Sequence, residues 1–381
     1  MVIYRKYRPQ KFSEIIGQEH IIKILESEIK QNKVAHAYLF TGSRGLGKTT
    51  TARILAKALN CEKRKNGESE PCNECPSCQA TTKGLSFDLI ELDAASQTGV
   101  DNVRENIIAY SRIPPAKNKY KVFVIDECHM LSLSAFNALL KTLEEPPPYV
   151  IFILATTEIH KLPETIISRC QRFDFTRVPA EKIIERLKKI AVSEKVKIDE
   201  QILKIIAYRS EGCVRDAESL FNQILALDGE EITLEEASLV LPPTQTTSII
   251  EFLDLILSAK ARPLADKGGS VHERSEMSGK KEVNGAINLI NKLLNEGIDL
   301  EQFTADLIEF LRKVILIKVG VMTSHQEEDA IQNKMKEFAN STDLKILVSI
   351  TEEFIKTKIQ FTYSEIPQLP LELTVIKICE K

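Results

Sequence analysis

The sequence predicts an α/β domain with a parallel sheet, followed by two all-helical regions, and three observations support this. Short apolar runs alternate with helix-patterned stretches from Tyr38 to Phe175. The runs are continuously apolar, which is typical of strands buried on both faces of a parallel sheet. From Pro179 onward the strand signals stop, and apolar residues recur at helical spacing.

Five strands are predicted, and the helical stretches between them provide the crossovers that parallel strands require. The predicted strands cover residues 38–41, 87–92, 121–126, 149–157 and 172–175. A helix is predicted over 49–59, because Ala52, Leu55 and Leu59 fall on one helical face. We place this α/β domain at 1–178.

The C-terminal half is predicted to contain two helical domains. Three short helices over 179–242 make a small second domain, and longer helices over 243–381 predict a helical bundle. Within the bundle, the stretch 262–282 is polar and lacks apolar anchors after Leu264. That composition predicts a disordered insertion between two helices.

Charge and hydropathy exclude several classes of protein. The 381 residues carry 51 Lys and Arg against 54 Asp and Glu, a net charge of −3, which argues against coating nucleic acid through net charge alone. The longest apolar run, 149–155, is far shorter than the ~20 residues that span a bilayer. No secretory signal opens the chain, and four of the eight cysteines cluster, which favours metal over disulfides. We therefore predict a cytoplasmic protein without membrane contact.

A glycine-rich motif follows the first predicted strand and opens the next helix. Residues 42–49 read GSRGLGKT, which fits the phosphate-binding pattern G-x-x-x-x-G-K-[ST] in its required context. Backbone N–H groups and the helix N-terminus would surround phosphate oxygens, while Lys48 would contact the β- and γ-phosphates and Thr49 would ligate Mg²⁺. The predicted phosphate-binding residues are Gly42, Ser43, Arg44, Gly45, Leu46, Gly47, Lys48, Thr49 and Thr50.

Two carboxylates end the third predicted strand, which reads VFVIDE at 122–127. Asp126 is placed to hold Mg²⁺, and Glu127 to polarise an attacking water as a general base. A plain acidic strand-to-turn junction is the alternative interpretation. Beside an intact phosphate motif, the pair predicts hydrolysis of a nucleoside triphosphate, with Lys48, Asp126 and Glu127 as catalytic residues.

Four clustered cysteines have the spacing of a metal site. Cys61, Cys72, Cys75 and Cys78 form C-x10-C-x2-C-x2-C, and four thiolates would complete a closed, structural Zn²⁺ shell. An iron–sulfur cluster is an alternative, although the following x3-C-P of ferredoxin-type runs is missing. Unliganded cysteines are the other alternative. We predict zinc.

Taken together, these motifs resemble one family, the gamma/tau subunits of the bacterial DNA polymerase III clamp loader. The resemblance is dense from residue 4 to about 240, and beyond that it rests on helical layout. It implies an ATP-hydrolysing AAA+ module, a lid domain and an oligomerising collar domain, and the end at Lys381 resembles the short, gamma-like form. The strings that carry it include YRKYRPQKFSEIIGQEH at 4–20, VIDECHMLS at 124–132, FNALLKTLEEPP at 136–147, LATTEIHKLPETIISRC at 154–170 and GCVRDAESL at 212–220.

The resemblance also implies roles for individual residues. Thr157 would sense the γ-phosphate, Arg169 would be an arginine finger for the ATP of a neighbouring subunit, and Arg215 would be a second sensor in the lid. The segment packing near the adenine would be Tyr7, Arg8 and Pro9. Seen in isolation, each arginine has a surface ion pair as its alternative interpretation.

The family further implies ATP, Mg²⁺ and Zn²⁺ as cofactors, and a set of partners. These are delta-type and delta-prime-type subunits, further gamma/tau copies in a hetero-pentamer, the sliding clamp and primer-template DNA. A non-hydrolysing structural subunit is disfavoured because Lys48, Thr49 and Glu127 are all present. Another AAA+ motor, such as a branch-migration helicase, would not explain the four cysteines. Polymerase activity is expected in another subunit, since no second carboxylate cluster suggests a two-metal site.

Overall fold

A computed structural model describes most of the chain. The described residues are 2–96, 104–227, 231–240, 246–260, 272–321, 329–361, 364 and 366–380. They form two compact units, Met1–Val240 and Leu241–Lys381. The finer division at 178 and 242 stays a prediction.

The first unit is built on a five-stranded sheet in the order β2-β3-β4-β1-β5, and every neighbouring pair is parallel. This confirms the predicted strands and their direction. The strands are β1 Ala37–Thr41, β2 Leu89–Asp93, β3 Lys121–Asp126, β4 Val150–Thr156 and β5 Gln171–Asp174. Because β3, β4 and β1 are neighbours and run parallel, their carboxyl ends meet at one edge of the sheet.

Helices cover both faces of this sheet. Tyr38 and Phe40 of β1 belong to one core with α2 and α3, whereas Leu39 belongs to a second core with α5. The alternation explains the continuously apolar strands, since both faces are buried. The helices around the sheet are α1 Ile3–Lys6, α2 Glu19–Gln31, α3 Lys48–Leu59, α4 Pro76–Thr82, α5 Leu133–Glu144 and α6 Glu164–Ile167.

A helical subdomain completes the first unit. Its helices pack on one another around buried Leu187, Ile206 and Phe221. They are α7 Ala180–Glu194, α8 Glu200–Arg209, α9 Val214–Ile224 and α10 Leu234–Val240. Two short strands, β6 Lys197–Ile198 and β7 Glu231–Ile232, pair in parallel here, although the sequence predicted no strands in this region. Two residues are too few to produce a strand periodicity.

The second unit is a helical bundle, as predicted, and it has an aromatic centre. The ring of Phe252 lies 5.6 Å from that of Phe303 and 6.1 Å from that of Phe354. Its helices are α11 Thr246–Lys260, α12 His272–Asn295, α13 Leu300–Lys318, α14 Asp329–Ser341, α15 Leu344–Phe361 and α16 Leu369–Glu380.

One difference from the predictions lies at the start of α12. Residues 272–282 are helical, although the polar stretch 262–282 predicted a disordered insertion. This part is continuous with the amphipathic sequence AINLINKLLN, whose buried face includes Ala286, Ile290 and Leu293. An established helix extends readily into adjoining Glu, Arg, Met and Lys residues. Residues 262–271 lie outside the described part of the chain.

Candidate nucleotide site and cysteine cluster

The phosphate loop connects β1 to α3 and depends on glycine backbone conformations. Gly42, Gly45 and Gly47 have φ values of +132°, +78° and +98°. A Cβ atom on Gly42 would lie 2.5 Å from the carbonyl oxygen of Phe175, and one on Gly45 would lie 2.1 Å from Cys213 Sγ. The loop therefore requires glycine at these two positions. It leads into Lys48, Thr49 and Thr50, which form the first turn of α3 and carry its unpaired N–H groups.

Lys48 is a buried cation aimed into this loop. Its side chain donates hydrogen bonds to the carbonyl oxygens of Gly42 at 2.6 Å and Ser43 at 2.8 Å. Burial lowers the pKa of the Lys48 ammonium, while the nearby charges of Glu127 and Asp126 oppose that shift. An anionic phosphate in the loop would stabilise the charged form further.

The side chain of Thr49, in α3, contacts that of Asp126, at the end of β3. Thr49 Oγ1 donates a 2.6 Å hydrogen bond to Asp126 Oδ2, which places the first turn of α3 against the end of β3. The other carboxylate oxygen of Asp126 accepts the backbone N–H of Glu127 at 3.0 Å. A hydroxyl and a carboxylate side by side are oxygen donors of the kind that Mg²⁺ prefers, so the residues present fit a magnesium ion.

Glu127 stands in an unusual backbone conformation. Its φ of +46° and ψ of +43° are left-handed, which costs a non-glycine residue on the order of 1 kcal/mol and is common at functional sites. Glu127 Oε2 accepts a 3.1 Å hydrogen bond from Thr157 Oγ1, and Thr157 directly follows β4. The structure thus brings Glu127 and Thr157 together at adjacent strand ends.

Two further side chains complete this group, and the sequence analysis missed both. His129 Nδ1 lies 3.5 Å from Glu127 Oε2 and 3.1 Å from Thr156 Oγ1. Its other ring nitrogen, Nε2, lies 3.3 Å from Glu158 Oε1. His129 lies two positions after Glu127, and Glu158 lies one position after Thr157. This closeness in sequence to predicted site residues could have identified both.

The helical subdomain contributes Arg215 and Cys213 to the phosphate loop. Arg215 Cβ would lie 3.2 Å from a Cβ on Gly45, and Cys213 Sγ donates a 3.3 Å hydrogen bond to the Arg44 carbonyl. Burial raises the pKa of Cys213 to about 11, which keeps it a neutral thiol donor. The Arg215 guanidinium also lies 4.9 Å from the centre of the Tyr4 ring. Arg215 therefore stands beside the phosphate loop.

The segment predicted to pack near the adenine, residues 7–9, is held mainly through its backbone carbonyl groups. The Tyr7 carbonyl accepts a hydrogen bond from the Arg186 guanidinium, and the Arg8 carbonyl accepts one of 3.0 Å from Gln10 Nε2. Pro9 lies between Arg8 and Gln10, the two residues that this second bond joins. The contact of Tyr7, Arg8 and Pro9 with an adenine stays a prediction.

Arg169 has partners outside the phosphate site. Its Nη2 lies 2.6 Å from Glu144 Oε1 at the end of α5, and its Nη1 donates to the Thr165 carbonyl at 2.7 Å. The Arg169 side chain is 34% exposed. Unlike Lys48 and Asp126, it is not joined by these contacts to its own chain's phosphate loop.

The four clustered cysteines meet in space. The sulfur atoms of Cys61, Cys72, Cys75 and Cys78 all lie within 4.8 Å of one another, and the Cys72–Cys78 distance is 3.9 Å. Tetrahedral Zn²⁺ with bonds near 2.3 Å sets sulfur atoms roughly 3.8 Å apart, so the four residues fit this ion. Opposing the cost of burial, N–H groups of Glu74 and Cys75 help to lower the pKa of Cys72 to about 6.

Together, the phosphate loop, the carboxylates at the end of β3 and the helical subdomain that supplies Arg215 define a P-loop nucleotide-binding module of the AAA+ class. Sequence comparison then identifies the family: the chain belongs to the gamma/tau subunits of bacterial DNA polymerase III. It is 40% identical to DNA polymerase III subunit tau of Bacillus subtilis over 99% of this chain and 63% of that protein. It is 39% identical to subunit gamma of Buchnera aphidicola from Acyrthosiphon pisum, over 81% of this chain and 79% of that protein.

Three family models match successive parts of the chain. That of "DNA polymerase III, delta subunit" matches 17–179, that of "DNA polymerase III clamp loader subunit, ATPase lid domain" matches 182–230, and that of "DNA polymerase III subunits gamma and tau domain III" matches 264–381. The helical subdomain is therefore a lid domain of this family. The chain spans 55% of the length of Escherichia coli subunit tau, to which it is 32% identical.

Solved structures also resemble the chain. Thermotoga maritima RuvB, a Holliday junction branch migration motor, aligns with a TM-score of 0.47 at 19% identity over 68% of this chain and 81% of that one. The Bacillus subtilis DNA clamp loader delta protein aligns with a TM-score of 0.39 at 15% identity, over 93% of this chain and 98% of that one.

Proposed function

We propose that this chain is an ATP-hydrolysing motor subunit of the bacterial replicative clamp loader. The observation that carries the proposal is the meeting of Thr49 with Asp126 and of Thr157 with Glu127, at neighbouring strand ends beside the phosphate loop. This arrangement supplies a phosphate cradle, oxygen ligands for a cation and a carboxylate base in one place.

The chemistry we propose is attack of water on the γ-phosphorus of ATP, which breaks the bond to the β–γ bridging oxygen and releases ADP and phosphate. Lys48 and the N–H groups at the start of α3 would neutralise the phosphate oxygens. Thr49 and Asp126 would hold Mg²⁺, which supplies further charge neutralisation when bound. Glu127 would accept the proton of the attacking water, and Thr157 would fix the direction of its carboxylate.

Arg169 is proposed to act on the ATP of a neighbouring subunit. Its side chain is partly exposed, and it is paired with the exposed carboxylate of Glu144 and with local oxygen atoms. An exposed ion pair of this kind contributes little free energy. Arg169 could therefore leave the Glu144 carboxylate and pair with a phosphate at little cost. A finger supplied in trans makes hydrolysis depend on assembly.

Assembly is proposed to involve further gamma/tau copies with delta-type and delta-prime-type subunits in a hetero-pentamer. The helical bundle offers a surface that supports this. Four exposed apolar residues of α15 recur at intervals that place them on one helical face: Leu344, Val348, Ile355 and Ile359. An exposed apolar stripe of this kind is typical of an interaction surface. This bundle would then be the collar of the complex.

We further propose that the assembled subunits act on the sliding clamp and primer-template DNA in the cytoplasm. Among the described residues, no helix combines the length and apolar character needed to cross a membrane. None of the eight cysteines, all of which lie in the described part of the chain, is joined in a disulfide, which suits a reducing compartment. Zn²⁺ is proposed for the cysteine cluster and ATP for the phosphate loop.

The test is ATP hydrolysis by this chain, mixed with its delta-type partners, with and without clamp and primed DNA. We expect stimulation by clamp and DNA that collapses in Arg169→Ala while nucleotide binding survives. Arg172→Ala is the matched control, because Arg172 is an exposed arginine of β5 paired with Asp174. Bound ATP without hydrolysis in any mixture would instead indicate a structural subunit.

A further inference from the structure

We propose that the cysteine module, residues 61–82, is a positioning element of the nucleotide site. It anchors the N-terminal segment, residues 2–14, and this segment in turn carries Tyr4 to Arg215 beside the phosphate loop. The inference rests on the proposed function, because it assigns the module a role in nucleotide binding.

The first anchor is the carboxylate of Glu70, two residues before Cys72. Its two oxygens accept the backbone N–H groups of Phe12 and Ser13, each at 2.8 Å. Hydrogen bonds to an ionised carboxylate are about twice as strong as those between neutral groups. Phe12 is fully buried in the sheet's core, so this contact fixes the segment at the point where it enters the fold.

The second anchor is Gln10. Its backbone carbonyl accepts a 3.3 Å hydrogen bond from the side chain of Asn73, which lies between Cys72 and Cys75. Its side-chain oxygen accepts from Lys57 of α3 at 2.8 Å and lies 3.4 Å from Thr82 Oγ1. The cysteine module therefore contacts the segment at Gln10, Phe12 and Ser13.

The other end of the segment contacts the lid. The backbone N–H of Ile3 donates to Asn222 Oδ1 of α9 at 3.1 Å, and the Tyr4 ring lies under the guanidinium of Arg215. The Arg186 guanidinium of α7 donates to the Tyr7 carbonyl. One short stretch of chain thus connects the cysteine module to the lid helix that begins beside Gly45 of the phosphate loop.

The module depends on its sulfur atoms for this role. Within 61–78 the buried residues, besides Cys75 and Cys78, are Ser69, Pro71 and Ser77, so this loop has almost no apolar core of its own. A loop of this kind is ordered by its metal, and loss of the metal would release Glu70 and Asn73 from their positions. The N-terminal segment would then lose two of its anchors.

The expected consequence is weaker nucleotide binding. Without its support, Arg215 loses the Tyr4 ring that helps to hold it beside the phosphate loop, so we expect nucleotide binding to weaken several-fold. The phosphate loop and the Asp126–Glu127 pair are not contacted by the module through these bonds. Hydrolysis at saturating ATP should therefore change less than the affinity.

The test compares Glu70→Gln with Glu74→Gln in the full-length, zinc-loaded chain. Glu74 belongs to the same loop, but its carboxylate is exposed and its ion-pair partner is Lys63 at 3.7 Å. The readouts are the dissociation constant of a fluorescent ADP analogue, the zinc content and the midpoint of thermal unfolding. We expect Glu70→Gln to weaken nucleotide binding several-fold while zinc content is kept, and Glu74→Gln to bind like wild type.

A second variant tests the connection itself. Tyr4→Leu removes the ring beneath Arg215, so its effect on affinity and that of Glu70→Gln should be less than additive in the double variant. Hydrogen exchange of the amides in 3–14 should also accelerate when zinc is removed, even if Glu70→Gln folds poorly.

Equal affinities for Glu70→Gln and Glu74→Gln, full additivity with Tyr4→Leu, or unchanged exchange in 3–14 would each overturn this inference and leave the proposed function standing. Failure of the zinc-loaded wild type to bind nucleotide would overturn both.

Discussion

Thr157 donates a 3.1 Å hydrogen bond to Glu127, and this bond joins the ends of two adjacent parallel strands. The left-handed backbone conformation of Glu127 and the hydrogen bond from Thr157 together orient the Glu127 side chain. A general base needs a fixed direction as well as the right protonation state. The pair therefore supports the proposed role of Glu127 as a base for water.

Glu127→Gln should retain nucleotide binding and lose hydrolysis by about 10²- to 10⁴-fold, because the amide cannot accept the proton. Thr157→Val should cause a smaller loss, since it removes the orienting bond and leaves the base. Single-turnover hydrolysis and nucleotide titration measure the two effects separately. Glu145→Gln, an exposed carboxylate at the end of α5, is the control and should behave like wild type. Equal rates for Glu127→Gln and the control would refute the base assignment.

Gly45→Ala and Gly47→Ala should differ sharply, although both glycines have positive φ. A Cβ on Gly45 would collide with Cys213 Sγ of the lid, whereas one on Gly47 would meet nothing within 4 Å. Gly47→Ala should cost on the order of 1 kcal/mol from backbone strain alone. Gly45→Ala should cost more, because the lid must also move from the loop. Denaturant unfolding of the two variants measures this difference, and equal losses would show that the lid does not pack on the loop.

Zinc removal should expose some thiols to alkylation and leave others protected. Cys72 is partly exposed and its pKa is lowered to about 6, so a chelator should leave it as a reactive thiolate at pH 8. Burial raises the pKa of Cys170 to about 12 and that of Cys128 as well, so both stay protonated and unreactive at this pH. Because only the thiolate reacts, labelling of Cys170 in the folded chain should rise as the pH is raised above 8. Mass spectrometry after timed iodoacetamide treatment measures each site, and rapid labelling of Cys72 in the zinc-loaded protein would argue against the metal site.

Glu218→Ala should destabilise the first unit by about 3 kcal/mol, because it leaves a buried arginine without its carboxylate. Arg186 Nε lies 3.1 Å from Glu218 Oε1, and the side chains of Glu218 and Arg186 are only 6% and 14% exposed. Lys182→Ala breaks the exposed pair with Glu19 and should cost below about 1 kcal/mol. The free energy of unfolding, measured by urea titration, distinguishes the two variants. A cost for Glu218→Ala no larger than that of Lys182→Ala would contradict the burial argument.

Local patterns predicted the sheet and the centre of the site. The strands were recognisable because each is a continuous apolar run. Lys48 and Thr49 were recognisable from the phosphate-binding motif, and Asp126 from its place at the end of an apolar strand. A motif read along the chain therefore identified residues that lie together in space.

Contacts between distant parts of the chain could not be predicted in this way. The hydrogen bonds from Cys213 to the Arg44 carbonyl and from the Phe12 backbone to Glu70 join residues far apart in sequence. No periodicity marks either contact, since each depends on how whole elements pack. The helical start of α12 was missed for a related reason: composition describes a segment in isolation, whereas its helix continues from a buried neighbour.

ATP bound to one chain is proposed to be hydrolysed with Arg169 of another, and a mixing experiment tests this arrangement most directly. Lys48→Ala should abolish nucleotide binding, and Arg169→Ala should abolish hydrolysis, so clamp loader assembled with either variant alone should be inactive. Assembled from both, it should recover hydrolysis at the interfaces where an intact Lys48 faces an intact Arg169. Assembled complexes that stay as inactive as either variant alone would contradict a finger supplied in trans.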